Sequence, residues 1–334
     1  MEINNPGNGL LKVLFVCAGN NEAEISPIIT AQGQSLIKYG VRVKYFPIGG
    51  KGIRAYIKSI HKLRKHLLRN SFVLVHAHYG LSAIVACSAC GKTPLVVSFM
   101  GDDLLGSNKP NGKITGLSRC FSRLNIFLAR HFYDFIIVKS EEMFDRLRNN
   151  TRAEIIPNGV DLDVFHPLGR DEAIKKSGFH QNGGNVLFVG DPSRPEKNYS
   201  LALESVKRAG NNIDLHVIRN KKPSELCSYY NAADAVVITS YHEGSPNIVK
   251  EAMACNCPLV STDIGDVRML SEGVTGHFLV PFDHDAVARN LISAIRFRSE
   301  AGETTGRRRI IELKLDSYSV AERIVSTYKE LLPG

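Results

Sequence analysis

Short apolar runs alternate with stretches of helical periodicity along almost the whole chain. An apolar run of ~4–8 residues between turn signals is typical of a strand buried on both faces, and such strands form parallel sheets covered by helices. Eleven runs predict strands, at 11–17, 41–48, 72–77, 94–99, 134–139, 153–157, 185–190, 213–218, 234–240, 258–262 and 277–280. Helical patterns predict helices near 24–39, 51–69, 80–90, 116–132, 140–149, 197–209, 223–232, 246–254, 266–271, 283–298 and 317–332.

This alternation breaks once, across residues 160–184, where the polar segments FHPLGRDE and HQNGGN lie. The chain of 334 residues also exceeds the ~250–300 residues at which single cores stop growing. The pattern therefore predicts an α/β protein of two Rossmann-like parallel-sheet domains, 1–160 and 161–315. In such folds the ligand site lies beyond the carboxyl ends of the strands, so we expect it in a cleft where the two sheets face each other.

Composition excludes several classes of protein. No apolar run reaches the ~18 residues that span a bilayer, and the start MEINNPGNGLLKVLFV lacks the basic segment of a signal peptide. We therefore expect a cytoplasmic protein, with only the polar stretch 299–309 as a candidate for disorder. Seven cysteines include one CxxC at Cys87 and Cys90 and one CxC at Cys255 and Cys257. Neither has the second half of a zinc site, so we expect no metal there.

The positive charge is concentrated in the first half of the chain. The whole chain has a net charge of +9, yet Ile25–Tyr133 alone holds sixteen Lys or Arg against two acidic residues. Many of these cations lie in KGIRAYIKSIHKLRKHLLRN, which predicts an amphipathic helix with its cationic face free. That face would suit the inner membrane leaflet or a phosphorylated acceptor, whereas no motif supports nucleic acid. The apolar stripe of this helix comprises Ile53, Ile57, Ile60, Leu63 and Leu67.

One stretch, YHEGSPNIVKEAMACNCPLVST from Tyr241 to Thr262, places two glutamates on either side of a helix start. Ser245 is a good N-cap and Pro246 a good first helical residue. The free N–H groups of Asn247 and Ile248, together with the helix dipole, would then form an anion site.

The two glutamates of this stretch would contact the groups on either side of the anion. Glu251 lies one turn inside the helix, where a carboxylate can accept two hydrogen bonds from a ribose diol. Glu243 precedes the helix and would meet a sugar on the other side of the phosphate. Taken singly, each would be a solvated surface glutamate.

Two further turns follow strands and suit phosphate. In FVGDPSRPEKN the strand ends at Gly190, and Arg194 and Lys197 precede the next helix. Two cations at a strand's carboxyl end can bind a diphosphate, although a solvated charged turn has the same composition. The first strand ends in CAGNN, where Gly19 would let the backbone approach a ligand closely.

The stretch EGSPNIVKEAMACNCPLVST resembles the E-x7-E signature of family 4 retaining glycosyltransferases. IIPNGVDLDVFHP, FVGDPSRPEKN, VHAHYG and VVSFMGDD resemble other motifs of that family, in the family's order. The resemblance implies the GT-B fold, with an N-terminal acceptor domain, a C-terminal donor domain and a C-terminal helix 316–334 that packs back on the first domain. It also implies sugar transfer from a UDP- or GDP-linked donor with retained anomeric configuration and without metal or cofactor.

The resemblance also assigns roles to single residues. Glu251 would bind the ribose, Glu243 the donor sugar at the reaction centre, Arg194 and Lys197 the diphosphate, and Gly19 the phosphate from the other domain. The remaining donor-binding residues would be Gly244, Ser245, Pro246, Asn247 and Ile248.

The sequence departs from the family pattern at the reaction centre. Methionine stands at position 100, where the family usually has a histidine over the donor sugar. A thioether cannot do acid–base work, so catalysis would depend on the leaving diphosphate and on Asp102 or His78. Asp191 stands where an arginine is common, and Asn198 replaces a common glycine.

Several functions remain open at this point. The leading interpretation is a glycosyltransferase of surface polysaccharide synthesis, peripheral at the inner face of the membrane, which uses a glycan or lipid-linked acceptor. A catalytically weak nucleotide-sugar binding protein, a GT-B sugar epimerase and a nucleic-acid binder are the alternatives. The base-binding loop RNKK, at 219–222, has no recognisable code for uracil or guanine.

Overall fold

The computed structural model describes residues 11–50, 52–106, 115–147, 152–181 and 184–332. Residues 1–10, which include much of the stretch on which the signal-peptide prediction depends, lie outside the described part. The described chain forms two compact α/β units. The first holds the residues up to Gly106, Gly116–Gly159 and those from Ser317 onwards, and the second holds Val160–Asp316.

The first unit is a six-stranded parallel sheet with helices on both faces. Its strands are β1 Lys12–Ala18, β2 Arg42–Ile48, β3 Leu74–His78, β4 Leu95–Ser98, β5 Phe135–Val138 and β6 Ala153–Ile155, in the order β2-β1-β3-β4-β5-β6. Its first six helices are α1 Pro27–Lys38, α2 Ile53–Arg69, α3 Gly80–Ala89, α4 Asp102–Leu105, α5 Gly116–His131 and α6 Glu141–Leu147.

The second unit is a five-stranded parallel sheet. Its strands are β7 Gly184–Val189, β8 Ile213–Ile218, β9 Ala235–Ile238, β10 Leu259–Thr262 and β11 His277–Val280, in the order β11-β10-β9-β7-β8. Helices α8 and α12 pack on one face and α7, α9, α10, α11 and α13 on the other. These helices span α7 Arg170–Ser177, α8 Tyr199–Ala209, α9 Pro223–Ala232, α10 Asn247–Ala254, α11 Val267–Ser271, α12 His284–Ala301 and α13 Gly306–Glu312.

The last helix, α14 Ser317–Glu330, belongs to the first unit and packs with α1 on one face of its sheet. Tyr328 is fully buried, and its hydroxyl lies 2.5 Å from Nδ1 of His76 on β3. Near its middle, Arg323 donates to the Glu154 carboxylate and to the Ile155 carbonyl, both at 2.7 Å. Polar contacts to two strands therefore hold the C-terminal helix on the first sheet.

In each sheet there is one switch point, where successive connections leave a strand towards opposite sides. The chain leaves β1 to β2 on one side and returns to β3 on the other. It leaves β7 to β8 and returns to β9 in the same way. The carboxyl ends of β1 and β3, and those of β7 and β9, are therefore the positions where parallel α/β sheets bind ligands.

The eleven predicted strands are all present in the described residues, with ends shifted by a few positions. Three helices were missed, because α4 is short and α7 and α13 lie in polar segments. The expected disorder at 299–309 was wrong: α12 continues to Ala301, and Thr304 and Gly306 are buried. The predicted helix 140–149 is described only as far as Leu147.

The amphipathic helix α2 has a narrower buried stripe than predicted. Leu63 is fully buried, and Ile60 and Leu67 are partly buried, but Ile57 is 53% exposed. Within the described chain, no helix combines the length and hydropathy needed to cross a bilayer.

Removing the Tyr328 hydroxyl tests how α14 is held. In Tyr328→Phe the buried Nδ1 of His76 loses its partner, and an unsatisfied buried polar group costs about 1–3 kcal/mol. We expect the free energy of unfolding in urea to fall by that amount. Tyr318→Phe is the control, because that residue on the same helix is 55% exposed and water can replace its hydroxyl. An equal loss in both variants would contradict the assignment.

Candidate active site

The loop after β7 is shaped to present Lys197. The strand ends at Gly190, whose φ of +141° is a conformation that favours glycine. A short 3₁₀ turn, Pro195–Lys197, follows, and Asn198 then takes the left-handed conformation at φ 48°. This conformation explains why asparagine can stand where the family has glycine, since asparagine tolerates it best among the other residues.

Residues that follow β9 hold the backbone of this loop by hydrogen bonds. The Thr239 hydroxyl lies 3.1 Å from the carbonyl oxygen of Lys197 and 3.0 Å from that of Asn198. The backbone N–H of Tyr241 donates to the Glu196 carbonyl at 2.8 Å. Strands β7 and β9 are neighbours at the switch point. These three hydrogen bonds therefore connect the loops that follow the two strands.

An ion pair joins the same two loops. Lys197 Nζ lies 2.6 Å from Glu243 Oε1, and the two side chains are only 14% and 23% exposed. The Ser240 hydroxyl donates to the same carboxylate oxygen at 3.2 Å. The structure thus brings together two residues that the sequence assigned to different parts of a donor molecule.

Arg194 is placed differently from Lys197. Its side chain is 54% exposed and pairs with Glu196, two residues along the loop. Asp191 accepts hydrogen bonds from the backbone and hydroxyl of Ser193, which hold its pKa below the usual range. Arg194 therefore lies at the rim of the loop, whereas Lys197 lies inside it.

Helix α10 begins at Asn247, one residue later than predicted, and Ser245 does not cap it. The Ser245 hydroxyl instead donates to Asp266 Oδ2 at 2.5 Å and accepts from Lys250 Nζ at 3.0 Å. The N-cap prediction was wrong because the hydroxyl oxygen accepts from the Lys250 ammonium group, a charged donor, and not from a backbone N–H group, while the hydroxyl proton is held by Asp266. Those N–H groups are consequently not satisfied by Ser245.

A buried charged pair supports the segment 243–246 from within. Lys250 is fully buried and Asp266 is 9% exposed. Burial lowers the pKa of Lys250 to about 8 although Asp266 opposes the shift, and burial raises the pKa of Asp266. A Cβ at Gly265 would lie 2.3 Å from the Gly244 carbonyl oxygen, so only glycine fits beneath this loop.

Glu251 lies on the inward side of α10. Its Oε2 accepts a hydrogen bond of 2.7 Å from the hydroxyl of Tyr230, which is fully buried on α9. Burial raises the pKa of Glu251, while the Tyr230 hydroxyl and the charge of Lys250 act in the opposite direction. Tyr230 therefore orients a carboxylate that has lost much of its solvation, a state suited to binding hydroxyl groups.

A pocket of about 430 Å³ opens beside these residues in the second unit. It lies at the carboxyl ends of β7 and β8, and Ile248 at the start of α10 contributes to its wall. Three residues of the predicted base-binding loop, 219–221, also line it. Its polar lining comprises Asp191, Arg194, Lys197, Arg219, Asn220 and Lys221.

In the first unit, Gly19 follows β1 and His78 is the last residue of β3, the two strands at the switch point. Gly19 has φ +151°, and its N–H donates to the Ile48 carbonyl at 3.2 Å. His78 is fully buried and stacks on His76, with ring centroids 4.3 Å apart. Burial lowers the pKa of His78 to about 3. A side chain with no accessible surface cannot contact a substrate, so this placement does not support the catalytic role expected for His78.

The segment around Met100 is organised by Asp103, a residue that sequence reasoning missed. Asp103 is fully buried and accepts hydrogen bonds from the backbone N–H groups of Met100, Gly101 and Gly80. Burial raises its pKa to about 6 despite these bonds. The Met100 side chain packs against the apolar cluster beneath the sheet. Asp102, at the start of α4, is partly exposed.

Sequence reasoning also missed the residues that support the site in the second unit. They share no motif, because all but one of them act through a partner more than twenty residues along the chain, the exception being Lys250 with Ser245: Thr239, Tyr230, Lys250, Asp266 and Gly265. The described residues contain no group of three or more His, Cys, Asp or Glu side chains arranged to hold a metal ion.

Two family models match consecutive parts of the chain. The model described as Glycosyltransferase Family 4 matches residues 12–164, and the model described as Glycosyl transferases group 1 matches residues 172–296. The first match ends shortly after the boundary between the units at Gly159 and Val160, and the second covers most of the second unit.

Characterised sequences resemble the chain at moderate identity. TuaC of Bacillus subtilis strain 168, whose name assigns it to teichuronic acid biosynthesis, is 26% identical over 231 residues. That match covers 62% of this chain, and the chain spans 57% of TuaC. The D-inositol 3-phosphate glycosyltransferase of Paenarthrobacter aurescens strain TC1 is 25% identical over 318 residues, which cover 79% of this chain and 77% of that protein.

Solved structures share the fold. Anabaena Alr3699/HepE, in complex with UDP and glucose, matches with a TM-score of 0.73 at 16% identity, over 96% of this chain and 100% of that one. The predicted GT-B fold is thereby confirmed. The chain belongs to glycosyltransferase family 4.

Proposed function

We propose that this glycosyltransferase moves a sugar from a nucleotide-sugar donor to a glycan or lipid-linked acceptor. The single observation that supports this proposal best is the arrangement in the second unit. There Lys197 lines a pocket at the carboxyl ends of β7 and β8, and Glu243 forms an ion pair with this lysine. Glu251 follows one turn after Ile248, which also lines the pocket, and is oriented by Tyr230. A cation, a sugar-binding carboxylate and a diol-binding carboxylate are the groups that such a donor requires.

Each part of the donor has a place in this proposal. The ribose hydroxyls bind Glu251, and the base enters the pocket beside Arg219 and Ile248. The diphosphate binds Lys197 and the backbone N–H groups of Asn247 and Ile248 at the start of α10. The donor sugar reaches Glu243, Gly244, Ser245 and Pro246.

We further propose that transfer retains the anomeric configuration and needs no metal ion. The bond between the sugar carbon and the phosphate oxygen breaks, and the acceptor oxygen bonds to the same carbon on the same face. The acceptor proton passes to the departing diphosphate, whose negative charge is stabilised by Lys197 and the helix N–H groups. Glu243 holds the sugar, and Asp102 is the partly exposed carboxylate in the segment next to Met100.

The acceptor is proposed from the relatives. The name of TuaC refers to teichuronic acid biosynthesis, and that of the Paenarthrobacter relative refers to D-inositol 3-phosphate. UDP in the Anabaena neighbour supports a UDP-linked donor. A donor-binding protein with little catalysis is a second candidate. The Met100 side chain packs on the apolar cluster, and its thioether cannot do the acid–base work of the histidine that the family usually has at this position.

Donor consumption separates the two candidates. We expect UDP- or GDP-sugars to raise the thermal transition of the protein, and the best donor to be consumed in a single turnover with a lipid-linked or glycan acceptor. Transfer should persist in excess chelator, with the anomeric proton coupling of the donor retained in the product. Donor binding without consumption would favour the second candidate, and full loss in chelator restored by magnesium would contradict the metal-free mechanism.

Glu251→Gln tests the ribose assignment. The amide keeps the shape and can still accept from Tyr230, but it loses the charge-assisted bonds to a diol, worth roughly 1.5–3 kcal/mol. By calorimetry, affinity for UDP or GDP should fall about ten- to a hundredfold. Tyr230→Phe is the control, since it removes the orienting hydroxyl but leaves the carboxylate, and a smaller loss is expected. Unchanged affinity in Glu251→Gln would refute the assignment.

Lys197→Met tests the diphosphate assignment. Without the ammonium group, affinity for the nucleoside diphosphate should fall by about tenfold or more, whereas affinity for the bare nucleoside should change little. Lys207→Met is the matched control, because Lys207 lies on the neighbouring helix α8 with an exposed side chain. Equal losses for the diphosphate and the nucleoside would show that Lys197 does not touch phosphate.

A further inference from the structure

The pocket beside the loop after β7 is lined by positive charges that are compensated within the chain. Its cationic side chains, among the described residues, are Arg194, Lys197, Arg219 and Lys221. Each forms an ion pair with a carboxylate, contributed in the same order by Glu196, Glu243, Asp191 and Glu225. A negatively charged ligand therefore meets cations that have acidic partners, and it competes with those partners.

These ion pairs differ in how strongly water screens them. In three of them the cationic side chain is at least 38% exposed, and ion pairs at such exposed positions contribute little free energy. Lys197 and Glu243 are both largely buried, so water screens their attraction less. Their ion pair is consequently the one that most opposes a ligand at the phosphate position.

A nucleoside diphosphate without a sugar would bind against the attraction within this pair. In the proposed donor site its phosphate oxygens contact the ammonium group of Lys197. Of its contacts with described residues, the Glu243 carboxylate would then keep the 3.2 Å hydrogen bond from the Ser240 hydroxyl. A largely buried carboxylate that loses its counter-charge is costly, and its negative charge also repels the phosphates.

A complete nucleotide-sugar supplies the groups that the bare nucleotide lacks. A carboxylate accepts about four hydrogen bonds, and Lys197 and Ser240 both donate to Oε1 of Glu243. Hydroxyl groups of the donor sugar can therefore donate to this carboxylate while the lysine contacts the diphosphate. This exchange of partners leaves neither the cation nor the carboxylate without a partner.

We infer that the Lys197–Glu243 pair selects the complete donor against the nucleoside diphosphate that is left after transfer. Once the sugar has departed, Glu243 loses its hydroxyl partners and competes again for Lys197, which weakens binding of the product. This role rests on the proposed donor site and makes Glu243 a specificity-determining residue of that site. Removal of its negative charge should therefore strengthen binding of the product.

Glu243→Gln tests this role, because the amide keeps the shape of the side chain and removes its charge. We expect affinity for UDP or GDP, measured by calorimetry, to rise about tenfold, since Lys197 no longer has a competing carboxylate. Glu243→Ala removes the same charge and should give the same rise. Affinity for uridine or guanosine should not change, because a nucleoside has no phosphate to contact the lysine.

Glu204→Gln is the matched control. Glu204 forms a comparable pair with Lys207, at 2.7 Å between Oε1 and Nζ, but both side chains are exposed on helix α8. Loss of this carboxylate should leave the affinity for UDP and GDP at the wild-type value.

The sugar is tested by comparing a donor with its own nucleoside diphosphate. The donor is whichever of UDP-glucose, UDP-N-acetylglucosamine and GDP-mannose raises the thermal transition of the wild type most. In Glu243→Gln the ratio of donor affinity to diphosphate affinity should fall about tenfold or more. The sugar hydroxyls lose a charged acceptor, whereas the diphosphate gains the lysine.

The outcomes separate this role from the donor site itself. If wild type binds UDP or GDP but neither Glu243 variant binds it more tightly, the role of the pair is refuted and the donor site stands. A rise that also occurs with uridine or guanosine, or in Glu204→Gln, would likewise refute the role. A wild-type chain that binds neither UDP nor GDP would contradict the donor site and the role together.

Discussion

The ion pair between Lys197 and Glu243 is the interaction on which the geometry of the candidate site depends. It links the loop after β7 to the loop after β9, the two strands between which the connections of the second sheet change direction. Taking two charges largely out of water is costly, and the attraction repays the cost only when further hydrogen bonds support the pair. Ser240 supplies one such bond to the carboxylate, and Thr239 fixes the backbone that presents the lysine. The pair therefore positions a cation before any ligand arrives.

A second pair of buried charged residues holds the segment 243–246, on the other side of the candidate site, in place. Lys250 and Asp266 hold the Ser245 hydroxyl between them, and Gly265 lets the following loop lie against the Gly244 carbonyl. The segment 243–246 is thus fixed by contacts on its inner side.

Much of the fold follows from the sequence for simple physical reasons. Strands buried on both faces must be apolar, so runs such as those around Leu187 and Val236 mark the sheets without ambiguity. Local spacing also singled out Glu243, Glu251 and Lys197, whose roles in donor binding stay predictions. Helices α7 and α13 were not predicted, because their residues are mostly polar and only one or two side chains of each are buried.

The remaining features depend on contacts between residues far apart in sequence. A serine before a proline predicts an N-cap, but the outcome was decided by Asp266, 21 residues away. His78 follows a strand as a catalytic residue would, yet it is stacked on His76 under the surface. Helix α5 was predicted from its period, but its rotation is set by Asn125 and Asp103, so its exposed apolar side could not be foreseen. Periodicity identifies a helix, whereas specific polar bonds decide which side faces solvent.

A crystal structure of the protein with a bound nucleoside diphosphate tests the central claim most directly. If the site is the donor site, Lys197 Nζ will lie within hydrogen-bond distance of a diphosphate oxygen, and the Glu251 carboxylate will face the ribose hydroxyls. The loops after β7 and β9 should keep their present backbone, because Thr239 holds them without the ligand. A nucleotide bound elsewhere on the chain, with the Lys197–Glu243 pair still at 2.6 Å and no phosphate beside it, would contradict the account.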